Sequence, residues 1–574
     1  MAVPCHIQDS ASQLFYQDHR SPQYQALLTI TELPHPDRSI LGAFLIDARD
    51  PQEAACYFLR ETAIDGTSQS APKKTIWEFL SDWKDLVNIF RPIVATGLSA
   101  ESKRLVYERD GGRCSLTQQE FKWPDDSDLR IVHIVPPRVL TNPDLVEGGR
   151  LSEMLHAFLS TDTMESLRLI LTLHSEPMER LDNLWLSSVS AFELVEAGEV
   201  RFQPMSWDQQ NSPRRQSYMI STNPSSHSAR GEMAIALSGE MMLLEDKTTK
   251  QIPIPHKDIF EIHALFSNAL AWMQVRTHIT QQRDRPITQN FRFPLLPKLL
   301  FSTFRRLWTA LPCFVRAATY EKLLSIGTYF YGPSFSPTVQ RLPWGLYLRK
   351  APAHWATQCR AEAHALDMVE KFTQIPAPRP IDVLQTPDAS YLLMTRVPGR
   401  PIGHILHAMT DEQMENVVFD LKRYIAQMRA IPNQVSKFQI CNSAGGGILD
   451  WRIPDSQSGN LRFQTEADFH NFLTRGMTDD TRGSAAKSHA LSHAIVFTHG
   501  DLNPRNILAE NGKITGIVDW ENAGFFPEYW EYTKMHYTVR YLIRWLADVV
   551  DQVFEGYRDE LHVDNMLSDL TGPF

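Results

Sequence analysis

Four polar residues near the C-terminal end of the sequence have the types and the spacing that acid–base and metal chemistry require. His499 and Asp501 open a short loop, Asn506 closes it, and Asp519 follows after two short apolar segments. An ionised aspartate on a loop can take a proton from a nearby group. Amide and carboxylate oxygens are hard ligands that suit one or two Mg²⁺ ions. The segment therefore predicts a base beside a magnesium site.

A β-hairpin is predicted to position these residues. Asn511-Gly512 lies between two alternating segments and favours a type I′ turn, because both central residues of that turn need positive φ. Counting back from this turn places Asn506 opposite Ile517 and puts Asp519 on the same face as Asn506, with Cβ atoms roughly 7–8 Å apart. The other face is expected to pack on a core through Ile507, Ala509, Ile514 and Val518.

The pattern H-G-D-x-x-x-x-N followed by I-V-D-W-E resembles the aminoglycoside phosphotransferase/choline kinase family, a branch of the protein-kinase-like fold. The resemblance implies that Asp501 is the catalytic base and that His499 supports the loop. It also implies that Asn506 and Asp519 hold Mg²⁺. The alternatives are a surface turn that matches the motif and a family member that keeps the shape without transferase activity.

A strand at Arg341–Lys350 is predicted to supply the cation that binds ATP phosphates. The resembling family has a strand ending in L-Y-L-K, whereas this sequence has L-Y-L-R-K, so Arg349 takes the place of the lysine and Lys350 lies one residue later. A shift of one residue changes the face of a strand, and arginine is not equivalent to lysine at such a site. Both residues therefore remain candidates for the phosphate contact.

The same resemblance implies the rest of the nucleotide site. Glu362, on a predicted helix from about Ala353 to Phe372, is the candidate partner of the phosphate-binding cation, or else a solvated glutamate. Thr395 to Val397 end a predicted strand and would line the adenine pocket and join two lobes. A loop between strands is expected to cover the phosphates, or to be an ordinary turn, with Gly327, Gly332 and Ser334.

The N-terminal half carries a second motif set. C-x-x-T at Cys114, H-I-V-P at His133 and D-N-L-W-L around Asn183 resemble the HNH endonuclease domain common in filamentous fungi. The resemblance implies a ββα-metal fold in which His133 activates water and Asn183 orients it. The positions for a further histidine are occupied by Ser190–Glu193, and a metal site without that imidazole loses affinity. We therefore predict an HNH-like scaffold without nuclease activity; a working nuclease is the alternative, and a core or turn histidine is favoured for His133.

Local patterns predict the remaining elements. Helices are expected at 51–63, 75–90, Leu151–His174, 257–279 and Asp411–Ile431, from apolar spacing. Strands are expected at Ala26–Ile30, Gly42–Ile46 and Ala234–Leu237, and a hairpin at Glu193–Phe202. An apolar and basic helix at Leu295–Trp308 is expected to pack against the following domain, with a membrane-surface helix as the alternative.

Composition limits the class of protein. A net charge of −10 argues against a globally basic nucleic-acid binder. The six cysteines lie far apart without a C-x-x-C pair, which favours a reducing compartment. The N-terminus shows no secretory signal, and no apolar run is long enough to cross a membrane. A cytoplasmic protein is expected.

The sequence therefore predicts an α+β, multidomain protein. An α/β extension (1–100) and an HNH-like, ββα-containing domain (101–280) are followed by a linker (281–317) and a bilobal, protein-kinase-like domain (318–574). The expected activity is ATP- and Mg²⁺-dependent transfer of the γ-phosphoryl group to a hydroxyl of a small molecule. Nucleic acid is expected as a partner only through the HNH-like half. A metal-dependent nuclease and an inactive binding scaffold are also compatible with these motifs.

Overall fold

The chain forms two compact units that meet in sequence at residues 285 and 286. The computed structural model describes residues 20–62, 74–172, 180–205, 214–223, 237–283, 298–334, 338–539 and 542–571. The first unit has one large core cluster, and the second has several smaller clusters.

The first unit combines helices with two antiparallel sheets. Its helices are α1 Pro22–Ile30, α2 Asp37–Ile46, α3 Pro51–Thr62, α4 Ile76–Ile89, α5 Ala100–Arg109, α6 Ser152–Leu159, α7 Thr161–Thr172, α8 Val189–Glu196 and α9 Lys257–Arg283. One sheet has the order β1-β2-β3, with β1 Ile93–Val94, β2 Leu129–His133 and β3 Leu184–Ser188. The other has the order β4-β5-β6, with β4 Val200–Pro204, β5 Arg215–Thr222 and β6 Met241–Glu245.

The predicted strands Ala26–Ile30 and Gly42–Ile46 are wrong, because both segments lie in helices α1 and α2. Ser21 caps α1 by accepting a hydrogen bond from the Tyr24 N–H, and a proline occupies the first helical position, as is usual at helix starts. Helix α2 is buried along nearly all of its length. A short apolar run that is buried on every side has no distinctive period, so it does not separate strand from helix.

The predicted hairpin at Glu193–Phe202 is also wrong. Its first half is helix α8, which Ser188 caps by accepting a hydrogen bond from the Ala191 N–H. Its second half is strand β4, which pairs with β5 instead. Gly198 makes the connection with φ 71°, and a Cβ there would lie 2.1 Å from the Ser267 carbonyl oxygen. The glycine is therefore needed for a close approach to α9 rather than for a hairpin turn.

The predicted helices of this unit are confirmed. Segments 51–63, 75–90 and 257–279 correspond to α3, α4 and α9. The segment Leu151–His174 forms two helices, α6 and α7, separated at Ser160 with φ 66°, and its last two residues lie outside the described residues. The predicted strand Ala234–Leu237 also lies outside them, apart from Leu237.

The second unit begins with a small lobe, which we define as residues 298–395. It contains α10 Lys298–Thr309, α11 Cys313–Tyr331 and α12 Ala356–Phe372. Its antiparallel sheet has the order β7-β8-β10-β9, with β7 Val339–Leu342, β8 Leu346–Pro352, β9 Pro380–Gln385 and β10 Ala389–Thr395. Residues 298–317, which were predicted to belong to a linker, thus form α10 and the first turns of α11.

The predicted phosphate-covering loop is wrong. Gly327 lies inside helix α11, Gly332 ends it, and Ser334 comes directly afterwards. A Cβ on Gly327 would lie 2.4 Å from the Arg341 carbonyl oxygen. Gly327 is therefore required because helix α11 crosses strand β7 at this point. A close approach of two elements, and not phosphate binding, explains this glycine.

The large lobe, residues 400–571, is mostly helical. Its helices are α13 Ile402–Ile405, α14 Asp411–Arg429, α15 Glu466–Leu473, α16 Asp479–His489, α17 Trp530–Thr538, α18 Ile543–Trp545, α19 Asp551–Val553 and α20 Arg558–Thr571. One sheet has the order β11-β14-β15, with β11 Arg400–Pro401, β14 Ile507–Glu510 and β15 Lys513–Ile517. The other has the order β12-β16-β13, with β12 Cys441–Asn442, β13 Ile495–Thr498 and β16 Gly524–Pro527. Helix α14 confirms the predicted core helix, and a Thr410–Gln413 capping box starts it.

Candidate functional site

The hairpin β14–β15 has the predicted turn but not the predicted register. Asn511 and Gly512 have φ values of 50° and 75°, as a type I′ turn requires. The pairing shifts between Leu508 and Ala509, so that Ile517 lies opposite Ile507 and not opposite Asn506. The extra residue is Thr515, whose hydroxyl donates a hydrogen bond to the Pro398 carbonyl oxygen at 2.8 Å. A single bulge therefore overturns the register that counting from the turn predicts.

Asp519 takes its direction from a local turn rather than from the strand. It has φ 67° and ψ 60°, in the left-handed region that few non-glycine residues other than asparagine and aspartate adopt. The alternation of faces used in the prediction ends at Ile517, where strand β15 ends. Non-glycine residues in this conformation are concentrated at functional sites. The conformation is thus a second reason to consider Asp519 functional.

A buried glutamate from helix α17 holds the loop that carries Asp501. The Glu531 carboxylate accepts backbone hydrogen bonds from His499 at 2.6 Å, Gly500 at 3.1 Å and Leu502 at 3.3 Å. Glu531 is 2% exposed, and burial is the main cause that raises its pKa. Three N–H groups that point at one carboxylate fix the backbone of the loop. The sequence motifs assigned no role to Glu531. Its position in the sequence, a charged residue among aromatic residues, was the feature that could have indicated a buried role.

His499 is a buried bridge within the same loop. Its Nδ1 accepts the Asp501 N–H at 3.2 Å, and its Nε2 donates to the Val518 carbonyl oxygen at 3.0 Å. Burial lowers the pKa of the imidazole, which favours the neutral form. His499 therefore joins the Asp501 loop to the end of strand β15.

Asp501 and Asn506 contact each other directly. The Asn506 Nδ2 donates to the Asp501 carbonyl oxygen at 2.9 Å and to its Oδ2 at 3.0 Å, while Asn503 donates to Oδ1 at 3.0 Å. Burial raises the pKa of Asp501, and the positive charge of Lys534 on α17 acts in the opposite direction. Since both hydrogens of the Asn506 amide point towards Asp501, its Oδ1 is left to accept from another group or to bind a cation.

The strand β8 places Arg349 and Lys350 on opposite faces. Arg349 is 9% exposed, with Nη1 3.0 Å from Glu362 Oε2 and Nη2 2.8 Å from Asp519 Oδ1. Its Nη1 also donates to Glu521. Lys350 instead forms an exposed pair with Glu321 at 2.8 Å. Of the two candidates, only Arg349 lies beside Asp519.

Glu362, on helix α12, is a buried partner of Arg349 and not a surface residue. It is 1% exposed, and burial raises its pKa while the Arg349 guanidinium acts in the opposite direction. Glu521 follows the motif aspartate closely and contacts the same guanidinium. Glu528 is a second acidic residue that follows the motif. In the structure their carboxylates pair with Arg349 and Arg429.

Thr395 and Val397 lie where strand β10 leaves the small lobe. The Thr395 hydroxyl accepts the Arg379 N–H at 2.8 Å. Val397 packs over Gly516 of strand β15, where a Cβ would lie 2.7 Å from a Val397 methyl carbon. The segment between the lobes therefore touches the hairpin that leads to Asp519.

In the first unit, His133 and Asn183 are both buried. His133 ends strand β2, and Asn183 directly precedes strand β3. His133 is fully buried and has no hydrogen-bond partner at either ring nitrogen in the part of the chain that the structure describes. Burial lowers its pKa to about 4. The Asn183 side-chain oxygen accepts a hydrogen bond from the Val135 N–H at 3.2 Å, and the Asn183 side-chain nitrogen donates one to the Val135 carbonyl oxygen at 2.7 Å. Strands β2 and β3 pair antiparallel, and helix α8 follows β3 directly.

Two features are absent from the described residues. No group of three or more histidine, cysteine, aspartate or glutamate side chains in the described ranges has a geometry that could hold a metal ion. Among the same residues, no helix is long and apolar enough to cross a membrane.

The C-terminal region matches a known family of enzymes. Residues 334–564 match the model of a phosphotransferase enzyme family, APH. The curated relatives include aminoglycoside 3'-phosphotransferases of Escherichia coli and Salmonella typhimurium, each 25% identical over 185 residues. Each match covers 32% of this chain and 65% of the relative, so it spans just under two thirds of the length of these enzymes.

Solved structures with some similarity are also aminoglycoside phosphotransferases. A thermostable mutant of APH(4)-Ia in its apo form is 16% identical, with 41% of this chain and 80% of that chain covered and a TM-score of 0.30. APH(3'')-Id from Streptomyces rimosus, in complex with ADP and streptomycin, is 15% identical, with 43% and 97% covered and a TM-score of 0.28. The similarity to phosphotransferases is thus confined to the C-terminal region, where residues 334–564 match the APH family model.

Proposed function

We propose that the second unit is an ATP-dependent phosphotransferase that moves the γ-phosphoryl group to a hydroxyl of a small molecule. One observation carries the proposal: Asp519 is held 2.8 Å from Arg349, which also pairs with the buried Glu362, while Asn506 bonds Asp501 at 3.0 Å. A cation, its glutamate partner, two oxygen ligands and a base are the parts that kinase-type transfer needs. The family match to residues 334–564 supports the same class of reaction.

In the proposed reaction, Asp501 orients the acceptor hydroxyl and takes its proton. The acceptor oxygen forms a bond to the γ-phosphorus as the bond to the β,γ-bridging oxygen breaks, and ADP leaves. The raised pKa of the buried Asp501 favours this role, because a base works best when its pKa is nearer the working pH. Glu531 keeps the loop rigid, so that catalysis depends mainly on positioning and fixed charges. Thr395 and Val397 are proposed to contact the adenine.

The residues present fit a magnesium ion. The Asn506 amide nitrogen bonds Asp501, and no donor among the described residues bonds the Asn506 amide oxygen. The Asp519 carboxylate is 35% exposed. Hard oxygen ligands on two neighbouring segments, completed by waters and substrate phosphates, are the usual way in which proteins hold Mg²⁺. When bound, the ion would neutralise charge on the phosphates. Arg349, and not Lys350, is proposed as the phosphate-binding cation.

The first test is thermal unfolding of the full chain with ATP and excess Mg²⁺, and with ATP and EDTA. Saturation at about 100 Kd should stabilise the chain by roughly 2.7 kcal/mol. Asp519→Asn is expected to lose the magnesium-dependent part of this shift, whereas the matched exposed variant Asp479→Asn should keep all of it. If Mg·ATP gives no shift with the unmodified chain, the nucleotide-binding half of the proposal is wrong.

Transfer is then tested by labelling with γ-³²P-ATP across a panel of hydroxyl compounds, aminoglycosides included. We expect Asp501→Asn to retain the Mg·ATP-dependent shift and to lose labelling of the acceptor. Loss of both would make Asp501 a structural residue, and labelling that survives Asp501→Asn would refute its role as base. The panel identifies the acceptor, which the two relatives suggest only as a class of small molecule.

For the first unit we propose an HNH-like scaffold without nuclease activity, in the cytoplasm. The order β2–β3–α8 supports the HNH-like scaffold. The absence of nuclease activity is supported by His133, which is fully buried and whose ring nitrogens bond none of the described residues. A buried imidazole of this kind cannot reach a metal or DNA. The free cysteines Cys56, Cys114, Cys313, Cys359 and Cys441 fit a reducing compartment. Incubation of the full chain with plasmid DNA in Mg²⁺, Mn²⁺ and Zn²⁺ should give no cleavage. Cleavage that His133→Ala abolishes would establish the nuclease instead.

A further inference from the structure

Helix α10 in the small lobe has apolar residues on two adjacent faces, which meet where the Phe304 ring stacks on Trp308. On its inner side, Phe301 and Trp308 pack with Tyr320 and the small-lobe sheet. On its outer side, Phe304 is 41% exposed and Leu307 is 68% exposed. A surface helix normally carries polar residues on its solvent side. Packing within the second unit therefore explains the inner side and leaves the outer side unexplained.

The exposed apolar side continues beyond α10 into the start of α11. Leu311 is 39% exposed, and Phe314 is 76% exposed. We call Phe304, Leu307, Leu311 and Phe314 the outer apolar strip; it runs from the end of α10 across the short turn at residues 310–312 to the first turn of α11. Contiguous exposed apolar residues of this kind usually mark a binding surface rather than a random exposure.

The stretch of sequence that carries the strip has basic residues but no acidic ones. From Arg285 to Tyr320 the sequence has no acidic residue, although the chain as a whole has 67 acidic residues and a net charge of −10. The same stretch has six basic residues: Arg285, Arg292, Lys298, Arg305, Arg306 and Arg316. Arg305 and Arg316 pair with Asp367 and Asp382. Among the described residues, Arg306 has no ion pair, and it is exposed between Phe304 and Leu307.

We propose that the outer apolar strip docks this protein on an anionic lipid surface. Phe304, Leu307, Leu311 and Phe314 would insert at the boundary between headgroups and acyl chains, and Arg306 would contact lipid phosphates. A narrow row of leucine and phenylalanine beside arginine is the pattern of helices that lie in this interface. Anionic lipids of the cytoplasmic leaflet attract basic segments of this kind.

A second copy of this chain fits the strip less well. A twofold contact would bring the same patch of both copies together. It would place one Arg306 near the other, and like charges that meet in an interface oppose association. A lipid surface supplies the opposite charge and needs only a shallow row of apolar side chains. The surface binding is peripheral, in keeping with the described residues, where no helix can cross a membrane.

The test is sedimentation of the full chain with two kinds of vesicle, phosphatidylcholine alone and an equimolar mixture of phosphatidylcholine and phosphatidylserine. At an ionic strength near 0.1 M we expect binding to the anionic vesicles and little to the neutral ones. Raising the ionic strength to about 1 M should weaken the binding, because the Debye length falls from about 10 to about 3 Å.

Variants assign the binding to the strip. Leu307→Ser with Phe314→Ser should weaken binding to anionic vesicles by at least about tenfold, since two exposed apolar side chains no longer insert. Arg306→Glu should weaken it as well and should abolish the preference for anionic lipid. Phe419→Ser is the matched control: Phe419 is 68% exposed on α14 of the same unit, and its loss should leave binding unchanged. All of these side chains lie at the surface, so circular dichroism and thermal unfolding should match those of the unmodified chain.

Several outcomes would overturn the proposal. Absence of vesicle binding, equal binding to neutral vesicles, or binding that the double variant leaves intact would each exclude an anionic lipid surface as the partner. Light scattering that shows a dimer in the unmodified chain and a monomer in the double variant would assign the strip to a second copy. The proposal does not depend on the proposed phosphotransferase activity, because no vesicle experiment uses ATP.

Discussion

Removal of the Arg349 charge should destabilise the second unit more than any neighbouring change of similar size. The guanidinium lies among three carboxylates, with Glu362 at 3.0 Å, Asp519 at 2.8 Å and Glu521 in contact. Glu362 is 1% exposed, so water cannot replace the lost cation around it. Arg349→Met keeps much of the side-chain length and leaves these carboxylates facing one another.

The magnitude follows from the burial. Removal of one partner of a buried ion pair costs about 3–5 kcal/mol, because the other charge is left unpaired away from water. Arg349→Lys keeps the charge but loses the planar fork that reaches separate acceptors. It should cost about 1.5–3 kcal/mol, the value of a hydrogen bond to a charged group. Lys350→Met is the control on the next residue: its pair with Glu321 is exposed, and its loss should cost less than about 1 kcal/mol.

The assay is urea unfolding of the full chain, with hydrogen exchange of peptides from β8 and α12 to assign the change to the second unit. The slope of the unfolding free energy against urea concentration should stay constant, while the midpoint urea concentration should fall, as expected for a change in stability alone. The double variant Arg349→Met with Glu362→Gln should recover part of the loss, because the unpaired buried carboxylate is then neutral. A loss below about 1 kcal/mol for Arg349→Met, or strict additivity in the double variant, would refute the reasoning.

Three further perturbations test other parts of the structure. Glu531→Gln should destabilise the loop at His499–Asn506 by about 1–3 kcal/mol, because one carboxylate accepts three buried N–H groups, and hydrogen exchange in that loop should accelerate. Gly327→Ala should cost about 1–3 kcal/mol in urea unfolding, since its Cβ would lie 2.4 Å from the Arg341 carbonyl oxygen. His133 should make the first unit sensitive to acid: its folded pKa of about 4 lies below the ordinary 6.5, so the unfolded chain binds the proton first and stability falls as pH drops from about 6.5 to about 4. The loss is on the order of 3 kcal/mol, and His133→Leu should remove that part of the difference between unfolding at pH 7 and at pH 4.5.

Local turn chemistry made the hairpin predictable, and a tertiary contact made its register unpredictable. Asn511-Gly512 specifies its turn because few other pairs accept two positive φ values. The bulge at Thr515 depends on a hydrogen bond to Pro398, which lies far away in the sequence. No pattern within the hairpin indicates that partner. The structure brings the candidate residues His499, Asp501 and Asn506 together beside the end of strand β15, although the register that was predicted to join them to Asp519 is wrong.

The contrast between local signals and tertiary contacts also explains the wrong predictions in the first unit and at Gly327. The α1 and α2 segments contain short apolar runs, and in α2 nearly every residue is buried, so the runs are too short or too uniform to separate strand from helix. Gly198 and Gly327 were assigned to a hairpin and to a phosphate loop. In the structure both allow a close approach between two packed elements, α9 and the start of β4 for Gly198, and α11 and β7 for Gly327. A glycine indicates that space or a positive φ is needed, but the sequence does not say which.

The charges around Arg349 bear on how the nucleotide would enter. Glu362, Asp519 and Glu521 place three carboxyl groups around the one positive charge of Arg349. Such a site repels a bare polyphosphate, and the partly buried Asp501 adds to the repulsion when it is ionised. A divalent ion that accompanies the nucleotide would reverse this balance. For the same reason the ATP-with-EDTA arm of the unfolding experiment should give a much smaller shift than the magnesium arm. Equal shifts in the two arms would mean that the nucleotide binds away from Asp519 and that these carboxylates serve only to hold Arg349.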